Sequence, residues 1–297
     1  MPIQRVGALE KIYLSPFNCL FSTVVGTHAP VHKETILSKV SLLDRTKKVQ
    51  VNGSSYINAA DLLRSCKVVY SQDLETCAQF CESILANIKA PTVVGFDLEW
   101  KPQPLEGGKN ASKNKVAVVQ ICSSFDHSYV FHLAAMSYMP RQLRNLLENE
   151  NVIKTGISIK TDLIKLQHDF NVQFEKTHHS YLELAFLAKI LAVNPEKRGD
   201  FGLNSLFQHL FQKRLQKPRS VKLSNWESVP LSTSQINYAA GDAFVSFLMY
   251  CCLKDVYDFN LHDVLFEQTL HNQRKKKFLK QIGELSKNAF GSTFNRW

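Results

Sequence analysis

One short segment constrains the fold of this chain more than any other. It is PTVVGFDLEW (91–100), an apolar run that opens at Pro91 and carries two carboxylates, Asp97 and Glu99, near its end. An apolar run of this length is typical of a buried β-strand, in which side chains two residues apart project from the same face. Two acids that end such a strand are costly unless a cation meets them. The segment predicts either a metal site on a central strand or a strand whose last residues emerge into water.

The same tripeptide, Asp-Leu-Glu, also occurs at residues 73–75 in YSQDLETCAQF. Apolar residues at helical spacing follow it, so we expect a helix that Ser71 caps and whose first turn contains Asp73 and Glu75. Two positions along a helix correspond to about 200° of rotation, so these two carboxylates cannot chelate one ion together. They can favour the positive end of the helix dipole, which is a structural role.

Further acids are expected to converge on Asp97 and Glu99, because two carboxylates rarely hold hard cations unaided. In NYAAGDAFVSFLMY, Asp242 lies in a strongly apolar helix, and Tyr238 lies four residues earlier on the same face. In GISIKTDLIKLQHDF, Asp162 lies early in a helix that follows a strand. Each position also has a structural alternative. Tyr238 fits a core tyrosine beside a partly exposed Asp242, and Asp162 fits a first-turn acid that favours the helix dipole.

The remaining pattern indicates an α/β fold in which helices pack on a mixed sheet. Short consecutive strands with tight turns favour antiparallel neighbours, and the helical second half supplies the covering layers. Further strands are expected at KVVY (67–70), VAVVQICSS (116–124), SYVFHL (128–133) and VIKTGI (152–157), with a small hairpin around Asn52-Gly53. Helices are expected near residues 140–149, 161–169, 180–192, 203–212 and 232–257.

Taken together, the acidic segments resemble the three motifs of the DEDDy 3′–5′ exonucleases. The motifs are FDLEW (96–100), GISIKTDLIKL (156–166) and NYAAGDA (237–243), and a tyrosine four residues before the last acid places the chain in the tyrosine subgroup. The likeness runs from about Val68 to Tyr257 and includes KVAVVQIC, GLNSLFQHLF and LSNWESVPL, as in Werner-type exonuclease domains and their stand-alone relatives. It implies an RNase H-like (DnaQ-like) fold, a mixed β-sheet flanked by helices.

Three parts of the chain follow from the extent of this likeness. Residues 1–62 are expected to be an N-terminal extension of unknown role, 63–258 the 3′–5′ exonuclease domain, and 259–297 a basic helical C-terminal extension.

The resemblance also implies a role for each acidic position. Asp97, Glu99 and Asp242 would hold one divalent ion. Asp97 would also contact a second ion, which Asp162 supports, and Tyr238 would position the attacking water. The implied reaction is two-metal-ion hydrolysis of phosphodiester bonds from the 3′ end, with release of nucleoside 5′-monophosphates. Oxygen ligands without nitrogen or thiolate suit Mg²⁺ first, with Mn²⁺ close behind.

The charge of the chain favours a polyanionic partner. The net charge is +10, and residues 261–297 contain seven basic and three acidic side chains. A basic excess of this kind fits nucleic acid, although a soluble charged surface explains it equally well. The C-terminal basic residues fit a nuclear import signal, a nucleic-acid clamp or a solvated helix end.

Two basic clusters could contact phosphates near the acids, or could be solvated loops. The first comprises Lys109, Lys113 and Lys115, and the second comprises Lys213, Arg214, Lys217, Arg219 and Lys222. The expected partner is single-stranded or 3′-recessed nucleic acid, with DNA favoured over RNA, and the resemblance adds a helicase or repair-complex partner.

Compartment signals are weaker. No run of about 18 apolar residues occurs, so no membrane partner is expected. The seven cysteines include no C-x-x-C pair and fit small buried residues in a reducing, intracellular compartment. Residues 1–25 lack the order of a secretory signal. We expect a nuclear location, and the sequence leaves a mitochondrial or cytoplasmic one open.

Three functions therefore remain open from the sequence. The first is a metal-dependent DNA exonuclease in repair or genome maintenance, and the second is an exoribonuclease that trims RNA with the same site. The third is a nucleic-acid-binding module with weak or lost catalysis. The presence of all four acids and the tyrosine argues against the third.

Overall fold

The computed structural model describes residues 50–51, 54–102, 114–173, 180–193 and 202–290. The strands are β1 (Gln50–Val51), β2 (Ser54–Asn58), β3 (Lys67–Ser71), β4 (Thr92–Glu99), β5 (Val118–Ser124), β6 (His127–His132), β7 (Val152–Gly156), β8 (Tyr181–Glu183) and β9 (Arg214–Gln216). The α-helices are α1 (Ala59–Leu62), α2 (Leu74–Ala86), α3 (Arg141–Glu148), α4 (Ile159–Phe170), α5 (Leu184–Ile190), α6 (Leu203–Phe211), α7 (Arg219–Lys222), α8 (Thr233–Tyr257) and α9 (Leu261–Phe290).

Six strands form the central sheet, in the order β3-β6-β5-β4-β7-β8. Strand β4 lies in its interior, antiparallel to β5 and parallel to β7. Strands β5 and β6 are antiparallel neighbours, as their short connection predicts. The predicted mixed sheet flanked by helices is therefore confirmed.

The two faces of β4 enter different cores. Val94, Phe96 and Leu98 pack in a cluster with buried residues of α2, α3 and α4. The opposite face of the sheet packs in a second cluster that contains much of α8. Because side chains alternate along a strand, Gly95, Asp97 and Glu99 face the α8 side.

Helix α8 is the core helix of this second face. It has the length and apolar composition that a membrane-crossing helix would need, yet most of its apolar stretch is buried inside the fold. Burial against the sheet accounts for its apolar sequence, because a helix that is apolar all round is a buried helix.

A second, three-stranded sheet has the order β1-β2-β9. Strands β1 and β2 are antiparallel, so the hairpin is confirmed, although Asn52 and Gly53 lie outside the described residues. Strand β2 runs parallel to β9, and Ile57 of β2 is buried in the core that contains α8. The predicted boundaries of the three parts of the chain stay a prediction, but residues 54–62 pack directly on the α8 side of the fold.

Two local predictions were wrong. Ser71 does not cap α2: it ends β3, and the N-cap is Asp73. The helix expected at residues 180–192 begins instead with strand β8, which pairs in parallel with β7 before α5 starts at Leu184. Sheet pairing outweighed the helical spacing of the apolar residues there, because three backbone positions of β8 complete the edge of the sheet.

Candidate functional site

Three carboxylates converge where β4 meets α8. Asp97 and Glu99 come from the end of β4 and Asp242 comes from α8, and one oxygen of each lies within 4.8 Å of the others. Asp242 is buried, and Asp97 and Glu99 are half-buried. Such a group supplies only hard oxygen donors, so it fits a divalent cation of the Mg²⁺ type better than zinc.

The approach of α8 to β4 depends on Gly95. A Cβ at this position would lie 2.8 Å from the backbone nitrogen of Phe247 and 2.9 Å from its Cβ, and it would overlap the carbonyl oxygen of Ala243. The backbone of α8 therefore occupies the space that a larger side chain would need at this glycine. The close packing brings Asp242, one residue before Ala243, against the acidic face of β4.

Burial and mutual repulsion dominate the electrostatics of the site. Burial raises the pKa of Asp97 to about 7, and the carboxylate of Asp242 adds to the rise. Burial also raises the pKa of Glu99 to about 9, with further contributions from Asp97 and Asp242. Both shifts mean that the fold disfavours having these acids ionised together, and a bound cation would reverse that preference.

Asp162 approaches the three carboxylates without joining the group of ligand atoms. It lies in the first turn of α4, is 9% exposed, and has a pKa raised to about 9 by burial and by the charges of Asp97 and Glu183. Strands β4 and β7 are parallel, so both end at the same edge of the sheet and α4 begins beside Asp97. The predicted fourth acid is therefore close to the site.

Glu183 is an acid that the sequence reasoning missed. Its two carboxylate oxygens accept hydrogen bonds from the backbone nitrogens of Ser158 (2.9 Å) and Ile159 (3.0 Å), at the start of α4. Ser158 itself makes no side-chain cap. Glu183 therefore anchors the helix that carries Asp162, a contact made across the sheet edge that no local pattern could reveal.

Tyr238 lies on α8 four residues before Asp242 and is 6% exposed. Burial raises its pKa above the ordinary value for tyrosine, and Asp242 adds to the shift. The hydroxyl therefore stays protonated at neutral pH. The ring also packs near Trp226, with ring centroids 6.0 Å apart, so Tyr238 is both a core residue and a neighbour of the acidic site.

Lys217 enters the acidic site, which the sequence did not distinguish from its basic neighbours. Its Nζ lies 2.7 Å from Oδ2 of Asp242 and 5.1 Å from the ring centroid of Tyr238. Burial alone would lower the pKa of Lys217, but Asp242, Tyr238 and Asp97 together outweigh burial and raise that pKa above the ordinary value. Lys217, with a smaller contribution from Lys222 at Glu99, faces three acids, which leaves an excess of negative charge when all are ionised.

The segment that carries Lys217 is held at both ends. Leu215 exchanges two backbone hydrogen bonds with the Asn204 amide, at 2.9 and 3.1 Å. Further on, Trp226 is fully buried and its Nε1 donates to the carbonyl of Lys222 at 3.2 Å. Trp226 is thus a core residue, and it fixes the chain that passes the site.

The other predicted basic residues differ in their positions. Arg214, Arg219 and Lys222 are exposed and Lys213 is partly buried, all on the segment that passes the site. Lys115 is exposed just before β5. Lys109 and Lys113 lie outside the described residues. A role of these side chains in nucleic-acid binding stays a prediction.

The first Asp-Leu-Glu tripeptide has a purely structural position. The Asp73 side chain accepts a hydrogen bond from the backbone nitrogen of Thr76 at 2.8 Å, which lowers the pKa of Asp73. Asp73 is therefore the N-cap of α2 and not a residue of its first turn. Among the described residues, the acids placed to hold a metal ion together are Asp97, Glu99 and Asp242, and neither Asp73 nor Glu75 belongs to this group.

Comparison with known proteins gives a consistent result. The chain is 36% identical over 191 residues to the mouse (Mus musculus) bifunctional 3′–5′ exonuclease/ATP-dependent helicase WRN, covering 64% of this chain and 13% of that protein. It is 39% identical over 167 residues to a 3′–5′ exonuclease of Arabidopsis thaliana, covering 56% and 54% of the two chains. The chain thus spans about half of one curated relative and a small part of the other.

Solved structures show the same fold. The EXO domain of Aedes aegypti Nibbler superposes with a TM-score of 0.54 at 20% sequence identity, covering 67% of this chain and 94% of that one.

The model of the 3′–5′ exonuclease family matches residues 68–257, which is more than half of the chain and includes all four acids and Tyr238. The chain belongs to the 3′–5′ exonuclease family.

Proposed function

We propose that this protein is a metal-dependent 3′–5′ exonuclease that hydrolyses DNA and releases nucleoside 5′-monophosphates. The observation that carries the proposal is the convergence of Asp97, Glu99 and Asp242 within 4.8 Å, in a chain of this family. A role in repair or genome maintenance, with a helicase or repair-complex partner in the nucleus, extends the same proposal.

The residues present fit a pair of divalent cations. The carboxylates of Asp97, Glu99 and Asp242 supply oxygen donors for one ion, and Asp162 lies near enough to Asp97 to support a second. Mg²⁺ is our first choice and Mn²⁺ the second, because the site offers no imidazole or thiolate. When bound, such ions stabilise the charge that develops on the attacking and leaving oxygens of a phosphodiester.

The protein's own groups have separate tasks in this reaction. The Tyr238 hydroxyl, which keeps its proton, can orient the water that attacks phosphorus as the P–O bond to the 3′ oxygen breaks. Lys217 supplies an ammonium beside Asp242 that can pair with a phosphate oxygen, and the exposed Arg214, Arg219 and Lys222 extend positive charge along the same segment. Single-stranded or 3′-recessed ends fit, because the reaction needs a free 3′ terminus.

DNA is proposed over RNA because the sequence resembles Werner-type exonuclease domains. The test is a pair of 5′-labelled oligonucleotides, one DNA and one RNA of the same sequence, incubated with Mg²⁺, Mn²⁺ or EDTA. We expect a ladder of shortened DNA products with either ion, a weaker ladder from RNA, and none in EDTA.

Each other outcome has a distinct meaning. Faster shortening of RNA would make the protein an exoribonuclease with the same site. Binding without any ladder would indicate a nucleic-acid-binding module, and equal degradation in EDTA would exclude the metal-dependent mechanism.

A further inference from the structure

A buried glutamine beside the carboxylates has no task in the reaction proposed above. Gln120 of β5 is fully buried, and neither its Oε1 nor its Nε2 has a hydrogen-bond partner among the described residues. No other buried side chain of the described ranges is in this state. Native folds keep very few such groups, because burying an amide without a partner is costly.

The position of Gln120 in the sheet indicates which groups its amide can meet. Across the antiparallel pair it lies directly opposite Asp97, and on its other side it lies opposite Val130. Directly opposed residues share a face of the sheet, with Cβ atoms about 4.5–5.5 Å apart. Asp97 is therefore the polar side chain immediately beside the amide, since Val130 offers none.

The other polar side chains on this face of β6 are already engaged. Ser128 Oγ donates to the carbonyl of Ala240 at 3.1 Å. His132 Nε2 lies 3.0 Å from the carbonyl of Trp226, and its Nδ1 lies 2.8 Å from the Tyr70 hydroxyl. Of the two strands that flank β5, β4 is therefore the one that offers Gln120 an acceptor, the Asp97 carboxylate.

We propose that Gln120 is a positioning residue of the metal site, whose amide donates a hydrogen bond to the Asp97 carboxylate when Asp97 binds a divalent ion. A primary amide has two N–H donors, and a carboxylate with one oxygen on a cation keeps acceptor capacity on the other. Hydrogen bonds of this kind hold a ligating carboxylate in one orientation. The inference rests on the proposed function, because it requires a divalent ion at Asp97.

This role explains why an unpaired amide is kept in the core. The unpaired amide destabilises the metal-free fold, and its hydrogen bond to Asp97 forms only when the ion is bound. Removing the amide should therefore move stability and metal affinity in opposite directions. A glutamine with a purely structural role would not separate the two quantities.

The experiment measures both quantities on the full chain. Gln120→Met keeps similar volume without polar atoms. Titration calorimetry with Mn²⁺ alone should show about tenfold weaker binding than wild type. The thermal midpoint in EDTA should equal or exceed that of wild type. Ser128→Ala is the matched control on the same sheet face: it should lower the midpoint in EDTA and leave Mn²⁺ affinity unchanged.

Several results would overturn the inference. One is a Gln120→Met protein whose Mn²⁺ affinity matches wild type. Another is a lowered thermal midpoint in EDTA for both Gln120→Met and a second variant, Gln120→Leu. Failure of both variants to fold would count in the same way. Either result would mean that the amide stabilises the metal-free protein. If wild type itself bound no Mn²⁺, the proposed metal-dependent function would fail as well, which separates the two failures.

Discussion

At the residue scale, the aspartates of the two Asp-Leu-Glu tripeptides, Asp73 and Asp97, have different roles. Asp97→Ala should abolish nucleic-acid shortening and leave the protein folded, because it removes a metal ligand from a group of acids that repel one another. Asp73→Ala should keep full activity and lower the free energy of unfolding by about 1 kcal/mol, because it removes the N-cap of α2. The labelled-oligonucleotide assay and urea unfolding measure the two effects.

The Asp73 value is larger than a favourable dipole contact alone would give, because the side chain makes a defined hydrogen bond to Thr76. An inactive Asp73→Ala beside an active Asp97→Ala would contradict the assignment of the two tripeptides.

The raised pKa values predict how pH affects stability without metal. The folded-state pKa is about 7 for Asp97 and about 9 for Glu99 and Asp162, each above its ordinary value. The folded protein therefore binds more protons than the unfolded chain between about pH 4 and 9, so this contribution to stability is present below pH 4 and lost as the pH rises. In EDTA, the free energy of unfolding should fall between pH 5 and 9 by at least about 1 kcal/mol.

The Asp97→Asn variant isolates this effect. In this variant the free energy of unfolding should fall less steeply with pH than in wild type. Saturating Mg²⁺ should remove the fall in wild type. Urea unfolding at several pH values measures both effects. Asp126→Asn, which changes an exposed carboxylate in the turn between β5 and β6, is the control and should keep the wild-type slope. An unchanged slope in Asp97→Asn would mean that the acids are not destabilised by burial.

At the scale of elements, the contact between β4 and α8 decides whether the site exists. Gly95→Ala should destabilise the protein by about 3 kcal/mol or more, because the added Cβ meets the α8 backbone, which cannot yield as a flexible side chain could. It should also weaken Mn²⁺ binding, since α8 carries Asp242. Gly202→Ala, where a Cβ meets nothing within 4 Å, is the control and should cost at most about 1 kcal/mol.

Thermal unfolding and Mn²⁺ titration test this pair of variants. A Gly95→Ala protein with the stability of Gly202→Ala would show that α8 does not approach β4 as closely as described.

Elements were predictable where their pattern was local. Helix α8 and strand β4 have the apolar sequences of buried elements, and both formed close to the expected residues. Strand β8 was missed because only its pairing with β7 distinguishes Tyr181–Glu183 from the helix that follows. The cap of α2 was misplaced by two residues, since Ser71 and Asp73 are both good N-caps and only the end of β3 selects between them.

At the scale of the whole molecule, residues 54–62 belong physically to the fold that carries the site. Ile57 is 2% exposed, and its strand β2 pairs with β9, which leads directly to Lys217. Ile57→Ala should lower the free energy of unfolding by about 3 kcal/mol. Ile164→Ala, at a side chain that is 58% exposed on α4, is the control and should change it little.

Urea unfolding compares these two variants. Equal stability of Ile57→Ala and wild type would show that β2 is an appendage and does not belong to the core around α8.

The sequence by itself determined the class of fold and the acids of the site. Alternation along β4 put Asp97 and Glu99 on one face, and the apolar runs required a buried sheet covered by helices. Asp162, Tyr238 and Asp242 were recognisable because each stands in a local pattern that resembles a family motif. These properties depend on neighbours along the chain, which a sequence displays directly.

Only the tertiary structure decided how these residues meet and what surrounds them. It brought Asp242 against β4 through Gly95, selected Lys217 from five similar basic residues, placed Glu183 at the start of α4 and left Gln120 buried beside Asp97. The physical reason is that burial, desolvation and hydrogen bonding act across strands and helices that are distant in the chain. Such contacts leave no periodic trace in the sequence, and they determine the charge state of the site.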